Sequence, residues 1–183
     1  HFGWDYHAAY HEKHSKALYD WLVSRKGFKS PVSSYDKLRF DSGPLKGKVS
    51  WRGKNVEVEL SLFWGQKGLA TDPDTAAGGK QLEKDMFQSL KSREVVVFSG
   101  HSGPFYGFAL ANWKMTSEGD VDDSELAQAP LWKDHYQLIV AEGCDTYGIG
   151  QSFATNPSKP GLKDLDVITT TSFSNAASIG TLT

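Results

Sequence analysis

Between Tyr6 and Lys26 the apolar residues Tyr10, Ala17, Leu18, Trp21 and Leu22 recur at the spacing of one helix face, and Gly27 follows where a C-cap glycine sits. The spacing predicts a first helix there. The stretch KVSWRGKNVEVELSLFW then alternates through Val56, Val58, Leu60 and Leu62 and breaks at Gly53, which reads as a hairpin leading into a strand. Asp72 to Thr75 offer N-caps for a second helix over residues 76–92, with Leu82, Met86, Phe87 and Leu90 on one face. EVVVFSG has no polar alternation and predicts a strand buried on both faces; YQLIVAEG and DLDVITTTS repeat that signature. TSEGDVDDSE, acidic and rich in turn formers, reads as a surface loop. The alternation of helix and strand predicts an α/β fold, a three-layer sandwich whose mainly parallel central sheet is flanked by helices. Chemistry then belongs at the carboxyl ends of the strands.

Composition narrows the class. The 183 residues, 39% hydrophobic and 13% aromatic, suit a single domain over 1–183, and no internal repeat divides them. Twenty Lys and Arg against 22 Asp and Glu give a formal charge of −2, which is read as lacking the concentrated positive charge that a phosphate backbone requires, so no nucleic-acid partner is expected. One cysteine excludes an internal disulfide scaffold and leaves the compartment open. No apolar run approaches the roughly 20 residues of a membrane span. A soluble chain is expected, with a lean to a secreted or extracytoplasmic one. Because it starts at His1 without an initiator Met, it is expected to be a processed part of a longer protein.

Candidate chemistry gathers at two predicted strand ends. VVVFSGHSGPF runs straight into Gly100-His101-Ser102-Gly103-Pro104, close to the G-x-S-x-G elbow of serine hydrolases. Pro104 stands where that elbow needs a small residue, and the one later histidine, His135, precedes a strand instead of following the last one. LIVAEGCDTYG ends a second buried strand at the only cysteine, Cys144. Matching ends of neighbouring parallel strands about 4.8 Å apart can bring an imidazole to a thiol, the parts of nucleophilic catalysis.

The segments VVVFSGHSG, LIVAEGCDTYG and DVITTTSFSN, in that order, resemble the caspase, legumain and gingipain type of cysteine peptidase over roughly residues 79–175; AEGCDT is most similar to the legumain branch. The resemblance implies a caspase-like fold and a cysteine endopeptidase with His101 as general base and acid, Cys144 as nucleophile, no cofactor, and a peptide or protein substrate. It implies an oxyanion hole from the backbone N–H groups of Cys144 and of the residue after the histidine, here Ser102, with Gly103 one later. The family usually has Gly in that place; a left-handed Ser there costs on the order of 1 kcal/mol. It also implies a core strand before the first helix, which residues 1–5 are too short to supply, so an upstream or separated segment of the same precursor is expected as a partner.

Glu142, two residues before Cys144 on a strand, shares its orientation by period-2 alternation. With Asp145, and with Thr171 and Ser172 on the next strand, it is expected to line a pocket for the residue before the cut bond, favouring Arg or Lys and then Asn. The alternative is a catalytically silent caspase-like module that binds or scaffolds. His7, His11 and His14 fall within about 60° on the first helix, a spacing that can chelate metal, but they share their sector with Leu18, Trp21 and Leu22 and read as a packing face; no metal site is expected.

Overall fold

In the computed structural model, which describes residues 1–5, 8–103 and 107–174, the first helix, α1, spans Tyr10–Ser24. It begins later than its apolar spacing predicts because the Asp5 carboxylate accepts the N–H groups of Ala8 (3.0 Å) and Tyr10 (3.1 Å), while Ala9 at the N-cap is left-handed, φ 52. Gly27 ends the helical region with φ 71, as expected. The buried face is His11, Ser15, Tyr19 and Leu22. Trp21, expected on that face, is 44% exposed.

Strands β1 (Leu45–Trp51) and β2 (Lys54–Leu60) form the predicted hairpin, closed by Arg52 and Gly53, both at positive φ (48 and 76) as a type I′ turn requires. Helix α2 (Ala76–Ser92) is capped by Thr75, whose hydroxyl accepts the N–H of Gly78. Strands β3 (Val95–Ser99), β7 (Gln137–Glu142) and β8 (Leu165–Thr169) make a parallel sheet in the order β3-β7-β8. Between β3 and β7 lie three short strands, β4 (Ser102–Gly103), β5 (Gly107–Ala109) and β6 (Asp120–Val121), and a one-turn helix, α3 (Asp123–Leu126); α4 (Tyr147–Thr155) follows β7. The stretch read as a loop thus contains β6 and most of α3. Asp122 and Glu125 close a capping box there, and the single apolar Val121 anchors it, fully buried opposite Phe108.

The N-terminal residues correct another expectation. Phe2 bridges in parallel to both Trp64 and Ser99; its N–H donates to the Phe63 carbonyl, the Gly3 N–H to that of Ser99, and the Ser99 N–H to that of His1. Residues 1–5 therefore do supply a position in the sheet. The lateral order becomes Trp64, Phe2, β3, β7, β8, with the chain reversing its direction of travel between Phe2 and β3. In open α/β sheets such a reversal leaves a crevice at the carboxyl ends of the two segments. Close approach of the backbones depends on Gly100, where an added Cβ would lie 2.6 Å from the Cα of Gly3.

The main core joins Leu82, Met86 and Leu90 of α2 to Val96, Phe98, Phe108, Ile139, Ala141, Ile149 and Phe153; a second cluster links Tyr19 and Leu22 to Phe28, Leu38, Leu45, Leu62 and Trp64. Burial on both faces holds only for the central strand, where Ile139, Val140 and Ala141 are all buried. β3 and β8 are covered on one face: Val95 is 54% and Ile168 55% exposed. Val95 projects beyond the N-terminal segment, which reaches β3 at Val97 and Ser99, and β8 pairs on one side alone. The chain is an α/β protein with a parallel sheet packed by helices, compatible with three layers at its centre.

Asp85 on α2 is strained electrostatically. Its Oδ1 accepts from Gln81, but among the described residues its buried Oδ2 has no hydrogen-bond partner, and burial pushes the carboxyl from 3.8 up to about 6. The raised folded value means the folded chain holds this proton longer than the unfolded chain; the stability it contributes is complete below about pH 4 and lost as pH rises through about 6. Asp85→Asn is expected to raise stability by about 1 kcal/mol at pH 8 and to change it little at pH 4. Urea midpoints of both proteins at the two pH values check this.

Candidate active site

The register carries the geometry. Ser99 pairs with Glu142 at the last rung of β3 and β7, so His101 and Cys144 each stand two residues past the same rung, on neighbouring parallel strands and at the same carboxyl edge. The two turns touch. The Ser102 hydroxyl donates to the Cys144 carbonyl (3.0 Å), and an added Cβ at Gly143 would lie 2.0 Å from that hydroxyl oxygen. Only glycine fits between them.

His101 stands two residues past β3, at the edge where the sheet order reverses, its side chain 28% exposed, with Nε2 3.4 Å from Oδ1 of Asp5, whose side chain is 5% exposed. The other Asp5 oxygen takes the two amides at the start of α1, so the carboxylate is fixed and its charge is favoured by backbone donors and the helix N-terminus. The Asp5 N–H donates to Nδ1 of His11 (3.2 Å), which ties this loop to α1. Trp113 meets the His101 ring edge-on at 5.5 Å and Trp4 at 5.1 Å, forming an aromatic wall beside the imidazole.

Cys144 is half-buried, and its thiol donates to the Ser174 carbonyl (Sγ···O 3.7 Å). Behind it the buried Thr146 hydroxyl donates to the Ala141 carbonyl and accepts the Thr170 N–H, while the Thr170 hydroxyl bonds the Gly143 carbonyl. The loop after β8 is thereby clamped to the cysteine turn. Asp145 N–H donates to the Ser172 carbonyl, bringing Asp145, Thr171 and Ser172, all exposed, to one rim. Left-handed backbone at this site falls on Asp145 (φ 51) and not on Ser102, so the strain considered for Ser102 does not arise. Gly103 pairs with Gly107 in the small β4–β5 ladder.

Glu142 accepts the Ser99 hydroxyl at 2.5 Å. Burial lowers the pKa of His14 on α1, against the upward pull of Glu142 and then Asp5. His14 therefore lies within electrostatic reach of both acids. Burial likewise lowers that of His11, opposed by Glu12 and Asp5. His7 and Asn175 lie outside the described residues, and among those described no three His, Cys, Asp or Glu side chains are arranged to hold a metal ion.

Asp5, Trp113, Ser99 and Thr146 were not among the residues expected at the site. Asp5 had one sequence signal, an acid at the end of the apolar FGW. Its partner lies 96 residues away. The sequence matches no family model, and neither curated proteins nor solved structures yield a match.

Proposed function

We propose that this chain is a cysteine endopeptidase on a caspase-like version of the parallel sheet, with Cys144 as nucleophile and His101 as base and acid. The observation that carries the reading is the register: an imidazole and a thiol at equivalent positions past one rung of adjacent parallel strands, beside the crevice where the sheet order reverses. The Asp5 carboxylate, 3.4 Å from Nε2, orients the His101 ring, and the imidazole takes the thiol proton. The thiolate then attacks the peptide carbonyl carbon; the C–N bond breaks as the imidazolium returns its proton to the leaving amine, and water hydrolyses the thioester. The acids Glu142 and Asp145, with the hydroxyls of Thr171 and Ser172, border the position of the side chain before the cut bond. That rim favours Arg or Lys, then Asn.

The test is alkylation by iodoacetamide at neutral pH, joined to fluorogenic peptides that differ only in that residue. Fast labelling of Cys144 that slows at least about tenfold in His101→Ala, with cleavage after Arg or Lys that weakens in Glu142→Gln, supports the reading. Equal labelling rates in parent and variant, with no peptide cut, would leave the silent binding module in its place.

A further inference from the structure

Charge is unevenly divided along the chain. Residues 21–60 hold nine Lys and Arg against four Asp and Glu, a local +5 in a chain whose formal charge is −2. Much of this segment is the β1–β2 hairpin, which lies in sequence between α1 and the sheet position at Trp64 and contributes no residue to the site at His101 and Cys144.

The ribbon is amphipathic. On one face Lys46 pairs with Glu59 (2.7 Å) and Lys48 with Glu57 (3.3 Å) across the strands. The other face carries the pairs Leu45–Leu60, Gly47–Val58 and Val49–Val56, and at its tip Trp51 opposite Lys54. At the base this face is used: Leu45 is fully buried, and Gly47 lies flat against the Phe28 ring. Toward the tip it is uncovered. Val49 and Val56, directly opposite each other, are 45% and 46% exposed, and Trp51 is 64% exposed. Arg52 and Lys54 flank Trp51, the Arg52 guanidinium lying over its ring at 5.6 Å. On α1, Trp21, 44% exposed, carries Lys26 over its ring at 4.6 Å, and near the base of the hairpin the Lys29 backbone bridges to that of Lys46.

We propose that the hairpin tip is a docking element for an anionic membrane surface. Trp51, Val49 and Val56 enter the headgroup and upper acyl region, and Arg52 and Lys54 contact the lipid phosphates and carboxylates. An indole with an apolar body and a polar N–H is suited to that interface, and long basic side chains reach back to the headgroups from beside it. The charge complementarity decides the occupant, because clustered Lys and Arg beside inserted apolar residues add electrostatic attraction to burial. A nucleic acid would use the cations and leave Val49 and Val56 without a role. The mode is peripheral: among the described residues no helix is long and apolar enough to cross a membrane.

Co-sedimentation of the chain with phosphatidylserine-rich vesicles, with pure phosphatidylcholine vesicles, and competition by a short duplex DNA test this. Expected are selective binding to the phosphatidylserine vesicles, a loss of about fivefold for each of Arg52→Gln and Lys54→Gln, and a loss of about tenfold or more for Trp51→Ala. Lys163→Gln, outside the basic segment, keeps parental binding, and urea midpoints confirm that the tip variants stay folded. Equal binding to both vesicle types, parental binding by Trp51→Ala, or displacement of the chain from vesicles by an equal charge of DNA would each overturn the assignment.

Discussion

Alanine at Cys144 is expected to abolish peptide cleavage, a loss of at least about 10⁴-fold, while the chain stays folded. The two halves of that result have separate causes. Cys144 is the only cysteine in the chain, so the proposed thioester has no other thiol to form on. Its structural ties are slight, since the residue is half-buried and, among the described residues, its thiol holds one long bond, to the Ser174 carbonyl. The cost in stability is expected to stay within about 1 kcal/mol. A peptide assay with active-site titration, run beside urea denaturation, measures both. Turnover that persists in Cys144→Ala would remove the dyad; a variant that fails to fold would be traced with Cys144→Ser, which keeps the volume and a hydroxyl donor for Ser174.

Lys159 should show the largest effect on stability. It is 1% exposed, and its ammonium donates to the backbone carbonyls of Lys133 (3.4 Å), His135 and Asp164 (3.4 Å). Those carbonyls belong to the chain entering β7 and the turn before β8, so one cation pins the starts of both strands. Burial of a charge is tolerated only when it is this well bonded. Lys159→Ala removes the donor from the Lys133 and His135 carbonyls, while that of Asp164 keeps the Gln137 N–H, and leaves a cavity where the aliphatic stem packed. The expected destabilisation is about 3–5 kcal/mol. Lys159→Met restores the stem but not the donor and is expected to recover part of that loss, which separates packing from hydrogen bonding in the same urea series. A change below about 1 kcal/mol for Lys159→Ala would show that water replaces the ammonium.

Asn156 and Gln137 work in the same manner nearby. Asn156 donates to the Leu126 and Ala129 carbonyls, and Gln137 donates to those of Leu90 and Arg93 while accepting the Trp132 N–H. Each is a buried polar residue joining segments far apart in sequence. None announces itself locally, because its partners are main-chain groups with no side-chain pattern to read.

Elements whose stabilising face is local were legible from the amino-acid order. The alternation through Val56, Val58 and Leu60 with Gly53 at the break specifies the hairpin, since only a chain reversal at a positive-φ residue lets those positions share a face. Thr75 and the apolar stripe through Leu82, Met86 and Leu90 likewise specify α2. The apolar runs at Val95 to Phe98 and Leu138 to Ala141 specify strands, and their following residues mark His101 and Cys144 as strand-end positions. Lateral order was a different matter. Which strand lies beside which is decided by packing between distant segments, and it is this that gives β3 and β7 a common last rung and sets Phe2 between Trp64 and Ser99. Only the folded chain therefore brings Asp5 to His101, clamps the Thr170 loop onto the cysteine turn, and leaves one face of β3 and β8 open. Amino-acid order determined the elements through hydrogen bonds and apolar faces within reach of each residue; tertiary structure decided the site, because its contacts join positions whose proximity no local periodicity encodes.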